Sequence, residues 1–186
     1  MDEKENSLVE MVLAGNPGAF ETLVTPYRQT LLSLAFRLTG NAEDAKEAAQ
    51  EALMRAFRYL AGFDRNQSFR NWLLSILINA ARRLSSKNTP IDRLDAEAVV
   101  IEPGAGPAAR YQHEEFRSRL MDSLETLSRR EREVFLLRDI EERDIKETAR
   151  ILRCSSGSVR VHLSSARKKV KDEMMKRYPG RQEEAR

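Results

Sequence analysis

The sequence predicts an all-α protein of two small domains. Three observations lead there. Apolar residues recur at three- and four-residue spacing along most of the chain, and no run alternates with the period of a strand. Helix start and stop residues stand at the ends of those periodic stretches. Between residues 87 and 107 the period lapses and Pro90, Pro103, Pro107, Gly104 and Gly106 gather, which marks a linker between residues 1–86 and residues 108–186.

In the N-terminal part, a short helix is expected over Ser7 to Ala14, with Leu8, Met11 and Val12 on one side and Gly15 ending it. Asn16-Pro17 reads as a capping side chain followed by proline at the first helical position. Phe20, Leu23 and Val24 follow before Pro26 interrupts. A helix from about Tyr27 to Leu38 places Leu31, Leu34, Ala35 and Leu38 on one face, and Gly40 stops it. Asn41 caps the next helix, with Glu43 and Asp44 in its first turn, where the helix dipole favours acids. That helix, about Ala42 to Ala61, has a stripe of Ala45, Ala49, Ala52, Leu53, Ala56, Phe57 and Leu60, and an outward patch of Glu47, Gln50, Glu51 and Met54. After Gly62 and a loop from Phe63 to Ser68, a helix from Phe69 to Ser85 carries Phe69, Trp72, Leu73, Ile76, Leu77, Ala80 and Leu84 on one stripe. Its other face shows Arg70, Asn71, Asn79, Arg82 and Arg83, with Leu74 and Ile78 beside them.

Beyond the linker a helix is expected from Pro107 to about Leu127. Ser128-Arg129-Arg130-Glu131 is a capping-box pattern that opens a helix carrying Val134, Phe135, Leu137 and Ile140. The stretch from Asp144 to Lys171 then reads as two helices joined by a tight polar turn. Ile145, Ala149 and Leu152 line the first helix. Cys154-Ser155-Ser156-Gly157 breaks the pattern, with Ser155 or Ser156 as cap. Val159, Leu163, Ala166 and Val170 face inward on the second helix. This is the layout of a helix-turn-helix, whose second helix enters the DNA major groove. Seven cations and no acid lie between Arg150 and Lys171, a concentration that suits phosphate contacts.

Charge is unevenly placed. The net of +3 divides into −3 over residues 1–60, +4 over 61–90, −4 over 91–115 and +6 over 116–186. Two basic blocks separated by an acidic one suggest two nucleic-acid contacts. Catalysis finds no support. His113 and His162 lie in different helices without metal-ligand spacing, and no Gly-rich phosphate loop or nucleophile elbow is present. No metal, cofactor or enzymatic activity is therefore expected. The single cysteine, Cys154, allows no internal disulfide and reads as a small apolar residue. The opening MDEKENS is acidic and lacks the apolar core of a signal peptide. No run approaches the roughly 18 apolar residues of a membrane span. The expected location is cytoplasmic, without membrane insertion.

The outward patch of Glu47, Gln50, Glu51 and Met54 suits docking on a basic helix of another protein, with methionine as the adaptable apolar contact. The loop from Phe63 to Ser68 suits one extruded base, held by stacking and edge hydrogen bonds. Arg82 and Arg83 suit nucleic-acid backbone contacts, whereas Trp72 reads as core.

The order of elements resembles the bacterial RNA polymerase sigma factors of the extracytoplasmic-function (ECF) group, in the sigma-70 family. Gly18-Ala19-Phe20 through Tyr27 is similar to the opening helices of that family. The run from Asp44 to Leu53, then Ala56-Phe57-Arg58, then Phe69-Arg70-Asn71-Trp72-Leu73 and Ile76 resembles its core-binding and −10-binding segments. Leu124 to Ala166, with Gly157-Ser158-Val159-Arg160-Val161-His162-Leu163-Ser164-Ser165-Ala166-Arg167, resembles its −35-reading domain.

The resemblance implies a transcription initiation factor whose partners are core RNA polymerase and promoter DNA. An anti-sigma protein is a further candidate partner. Asp44, Glu47, Gln50, Glu51 and Met54 would then meet the clamp helices of the largest polymerase subunit. Phe63, Asp64, Arg65, Asn66, Ser68, Arg70, Asn71, Asn79, Arg82 and Arg83 would take the non-template −10 strand. Arg150, Ser158, Arg160, Val161, His162, Ser164, Ser165, Arg167 and Lys168 would face the −35 duplex, with Arg150, Arg167 and Lys168 near phosphates. Arg153 stands where the family commonly has glycine, so a left-handed backbone there costs on the order of 1–2 kcal/mol. The competing reading is a stand-alone helix-turn-helix regulator that binds palindromic duplex as a dimer. A third is a helical adaptor without nucleic acid.

Overall fold

A computed structural model describes residues 3–85 and 119–176. The expected linker, the start of the helix after Pro107 and the tail after Tyr178 lie outside the described residues. The chain divides into two compact units, Met1–Val100 and Ile101–Arg186. Every described element is helical.

In the first unit α1 (Glu3–Leu13), α2 (Gly18–Val24), α3 (Arg28–Thr39), α4 (Ala42–Tyr59) and α5 (Phe69–Ser85) follow in order, with single 3₁₀ turns at Thr25–Tyr27 and Leu60–Gly62. Gly40 closes α3 at φ 77°, and its N–H donates to Phe36 O. Asn41 Oδ1 accepts from the N–H groups of Glu43 and Asp44 at 2.8 and 3.0 Å, so it caps α4 as the sequence indicated. The core lies where α5 packs against both α3 and α4. On α4 the buried side chains are Ala45, Ala48, Ala49, Ala52 and Ala56. The small α4 side chains face the larger Leu31 and Leu34 of α3 and Leu73, Leu74 and Leu77 of α5, which are also buried.

Several expectations change. The first helix begins at Glu3 rather than Ser7, and Val9 is its buried residue; Leu8 and Val12 are half-buried and Met11 is 44% exposed. Pro17 stands one position earlier than expected, at the N-cap of α2, with no side-chain cap bond. On α4 Ala48 joins the core while Phe57 stays 48% exposed, its ring meeting Phe20 edge-on at 5.1 Å. On α5 Leu74, Ile78 and Ala81 are buried together with Phe69, Leu73, Leu77 and Ala80, whereas Ile76 is half-buried. A single apolar stripe presumes one packing partner. The helix α5 has two, so its buried arc is wider.

In the second unit α6 covers residues 119–125, followed by α7 (Arg129–Phe135), one π-helical turn (Leu136–Ile140), α8 (Ile145–Leu152) and α9 (Ser156–Lys176). The Ser128–Glu131 capping box is formed, since Ser128 Oγ accepts from Glu131 N–H and Glu131 Oε2 accepts from Ser128 N–H at 2.8 Å. A second box, Asp144 with Glu147, opens α8. The core joins Val134, Leu136 and Leu137 with Ala149, Ile151 and Leu152 and with Val159, Leu163 and Ala166.

The turn between α8 and α9 is a Schellman motif. The Arg153 N–H donates to Arg150 O at 3.2 Å and the Cys154 N–H to Ala149 O at 2.9 Å. Arg153 is left-handed at φ 52°, ψ 54°, the costly conformation anticipated from the sequence. Ser155, not Ser156, caps α9; its Oγ accepts from Ser158 N–H at 3.1 Å. Arg153→Gly relieves the Cβ clash and offsets it partly by the greater chain entropy of glycine. It should raise stability by about 1 kcal/mol, seen as a higher urea midpoint at unchanged slope. An unchanged or lower midpoint would contradict this.

Candidate nucleic-acid interface

Three side chains of α9, Ser165, Lys169 and Arg167, are bonded to the helix and turn that precede α8. Glu131, at the start of α7, is 6% exposed. Its Oε1 accepts from Ser165 Oγ at 2.5 Å and its Oε2 from Lys169 Nζ at 2.7 Å, besides the capping bond from Ser128. The Lys169 and Ser165 donors, in that order, outweigh burial and hold the Glu131 carboxyl down at about 2. Asp139, on the π turn, takes Arg167 through two bonds, Nε to Oδ2 at 2.9 Å and Nη2 to Oδ1 at 2.5 Å, which raises the Arg167 pKa. Arg130 joins the first and second helices of the group. It pairs with the buried Glu133 at 3.0 Å and donates to Leu152 O, the C-terminal end of α8, at 3.2 Å.

These links decide which cations can face a ligand. Arg160, Val161, Ser164 and Lys168 are exposed on α9, and Arg150 is exposed on α8. Ser158 and His162 are half-buried on α9. Arg150, Arg160 and Lys168 make no ion pair among the described residues. Ser165 departs from its expected place at a base edge: its hydroxyl is turned onto Glu131, an acid 34 residues earlier. Arg167 is exposed but engaged by Asp139. Sequence reasoning passed over Lys146, which with Arg150 and Arg153 lines a shallow concavity of about 570 Å³ beside Cys154 and Ser156. The four-residue spacing of Lys146 and Arg150 on α8 was the available signal.

In the first unit the loop from Phe63 to Ser68 is built around Asp64. Its carboxylate accepts from Asn66 N–H at 2.9 Å, from Asn66 Nδ2 at 3.1 Å and from Gln67 Nε2 at 3.0 Å, and the backbone bond foremost lowers its pKa. Arg65 reaches Glu10 of α1 at 2.7 Å, and Ser68 Oγ accepts from Asn71 N–H at 3.3 Å. Phe63 lies beneath this loop. It is 7% exposed and wedged between Phe69 at 5.5 Å and Trp72 at 4.8 Å, a packing that anchors the loop and leaves little of the ring open for stacking. Trp72 is half-buried in that aromatic cluster, in line with a core role. On α5 Asn79 and Arg83 are exposed, while Arg70, Asn71 and Arg82 are half-buried; Arg82 donates to Asn79 Oδ1 at 3.3 Å.

On α4 Glu47, Gln50 and Met54 are exposed. Asp44 is half-buried and accepts from Asn41 Nδ2 at 3.2 Å, within the helix cap. Glu51, expected to serve only a partner, also serves the fold. It accepts from Arg55 and lies 3.4 Å from Arg83 of α5, and the Arg55 bond foremost lowers its pKa.

The second helix of the helix-turn-helix, Ser156–Lys176, carries no acid before Asp172, a charge pattern suited to DNA. Comparison with known proteins narrows the class. Residues 23–90 match the family model for sigma-70 region 2, and residues 117–170 match the model for sigma-70, region 4. The ECF RNA polymerase sigma-E factor of Escherichia coli (strain K12) is 30% identical, over 88% of this chain and 90% of its own. The RNA polymerase sigma-H factor of Pseudomonas aeruginosa is 28% identical, over 90% and 92%. CnrH, solved in complex with the cytosolic domain of CnrY, shares the fold with a TM-score of 0.69 at 24% identity, over 92% of this chain and 97% of that one. The chain belongs to the extracytoplasmic-function sigma factors of the sigma-70 family. It is a transcription initiation factor that directs RNA polymerase to promoters. No described helix is long and apolar enough to cross a membrane.

The Glu131 carboxylate has a folded pKa below its ordinary 4.5, so its stabilising contribution is whole above that value and is lost as pH falls towards about 2. Glu131→Gln should lower stability near neutrality by roughly 1–3 kcal/mol, the usual cost of disrupting a buried hydrogen-bonded group. It should also flatten the loss of stability between those two pH values. Thermal midpoints of the full chain across that range measure both effects; parallel curves for the two proteins would contradict the assignment.

Proposed function

We propose that this sigma factor reads the −35 duplex with the exposed edge of α9 and captures the melted −10 strand on the Phe63–Ser68 loop and the outward face of α5. The observation that carries the reading is the α9 edge itself. It presents Arg160, Val161, Ser164 and Lys168 on a helix anchored by Glu131 and Asp139. Arg160 lies in the first turns of the helix, where recognition helices meet base edges, and His162 and Ser158 flank it. Lys168 lies two turns further on, and with Arg150 it meets phosphate. In this scheme Ser165 positions the helix rather than reading a base, and Arg167 reaches phosphate from its pair with Asp139.

At the −10 strand, the exposed groups Asp64, Arg65 and Asn66 offer acceptors and donors to one unstacked base, with Ser68 closing the loop. Arg70, Asn71, Asn79, Arg82 and Arg83 follow the strand along α5. Phe63 keeps the loop in shape from below. Polymerase docks on Glu47, Gln50 and Met54, with Asp44 and Glu51 at the edge of that face. Glu51 is shared with Arg83, so the polymerase face and the strand face of this unit touch through one carboxylate.

Two experiments separate the parts. Arg160→Ala should relax preference at one or two adjacent −35 positions, since a lost bidentate pair to guanine costs about 1–3 kcal/mol of discrimination. Lys168→Ala should weaken all sequences alike and lower the salt slope of binding by roughly one unit. Holoenzyme binding to single-base −35 variants at several salt concentrations reads both, and uniform loss in Arg160→Ala would make it a backbone contact. The paired change Glu47→Lys and Met54→Ala alters exposed side chains only. It should leave the thermal midpoint within about 1 kcal/mol equivalent and reduce core polymerase binding at least tenfold; undiminished holoenzyme assembly would remove the docking face.

A further inference from the structure

Val161 is 68% exposed, the most exposed of the large hydrophobic side chains among the described residues. On a helix that advances 100° per residue it stands opposite the inward set of Val159, Leu163, Ala166 and Val170, at the crest of α9. Polar and basic side chains surround it: Arg160 and His162 beside it, Ser164 one turn on, and Lys168 two turns on. Neither fold nor local propensity explains a valine there. Most of its surface is open to solvent, and a β-branched side chain is a poorer helix former than alanine at an exposed position.

The place does suit one contact. The crest of a recognition helix reaches furthest into the major groove, and the apolar group displayed on that floor is the C5-methyl of thymine. A β-branched side chain brings two methyl groups to this spot with little rotamer freedom to lose. Ser165, the next side chain on that side of the crest, is held on Glu131, which leaves the valine as the leading group there.

We propose that Val161 is a specificity-determining residue that selects thymine at one −35 position by packing on its C5-methyl. The inference rests on the reading of α9 as the −35 helix. Its readout is therefore a methyl group, which phosphate or hydrogen-bond contacts do not sense. The probe is a promoter duplex recovered by the reconstituted holoenzyme from a library randomised over the −35 segment. Each thymine on either strand is replaced singly by deoxyuridine, which removes only the methyl. With the native chain, one replacement should weaken holoenzyme binding about three- to fivefold, the worth of one buried methyl group. With Val161→Ala the same replacement should have no effect, while the others behave as with the native chain. Val161→Ser, which carries a hydroxyl and no methyl group, should also lose the methyl preference, whereas Val161→Thr, which keeps one γ-methyl, should retain part of it. Unchanged thermal midpoints check that the variants fold.

A selected −35 segment in which no deoxyuridine penalty depends on residue 161 would overturn the proposal while leaving α9 as the reader. Holoenzyme binding that survives scrambling of the whole −35 segment would overturn that reading, and the proposal with it.

Discussion

The two oxygens of Glu131 accept from Lys169 and Ser165 on one side and from the Ser128 backbone on the other. One carboxylate therefore ends the approach to α7 and sets the rotation of α9 about its own axis. A turn of α9 by one residue would swing the Arg160 edge by 100° and bring another set of side chains to the groove. The exposed Arg167–Asp139 pair supports the same setting. Its Asp139 carboxylate is 22% exposed against 8% for Glu131, and its arginine 56% against 43% for Lys169, and the more exposed pair contributes less. The buried carboxylate is thus the stronger determinant, and the set of residues left facing outward follows from it.

The first unit positions its faces without such a charge. Five alanines on α4 bring three helices together, and the bulk of the core comes from α3 and α5. Because alanine fills the inner side, α4 keeps its long polar and thioether side chains for the outer one. The aromatic cluster of Phe63, Phe69 and Trp72 then fixes where the loop leaves α4 and where α5 begins. The arrangement explains how a loop of polar residues keeps a defined shape: one ring is buried beneath it and Asp64 gathers its donors from above.

Much of this was legible in the sequence, for local reasons. Asn41, Gly40 and the Ser128–Glu131 box act within a few residues, and their patterns are short. The helix-turn-helix was legible because its two apolar stripes and its polar turn are contiguous, and the strain at Arg153 was expected from an arginine standing where the resembled family commonly has glycine. Features that depend on distant partners were not legible. Nothing near Ser165 announces that Glu131 will take its hydroxyl, and nothing near Phe63 tells a buried ring from an exposed one. The π turn at Leu136–Ile140 left no sign because its apolar run fits an ordinary helix equally well. The Asp144–Glu147 box could have been read, since it has the same spacing as the one at Ser128.

The central claim is that one chain joins polymerase to two separate promoter contacts, one duplex and one melted. Its most direct test is transcription from a template library randomised upstream of the start site, using core polymerase with and without this chain. The account predicts transcripts that depend on the chain and arise from templates enriched in two short motifs at a fixed separation, near −35 and −10. Transcripts equally abundant without the chain would contradict it, as would enrichment of a single palindromic site bound by the chain alone as a dimer.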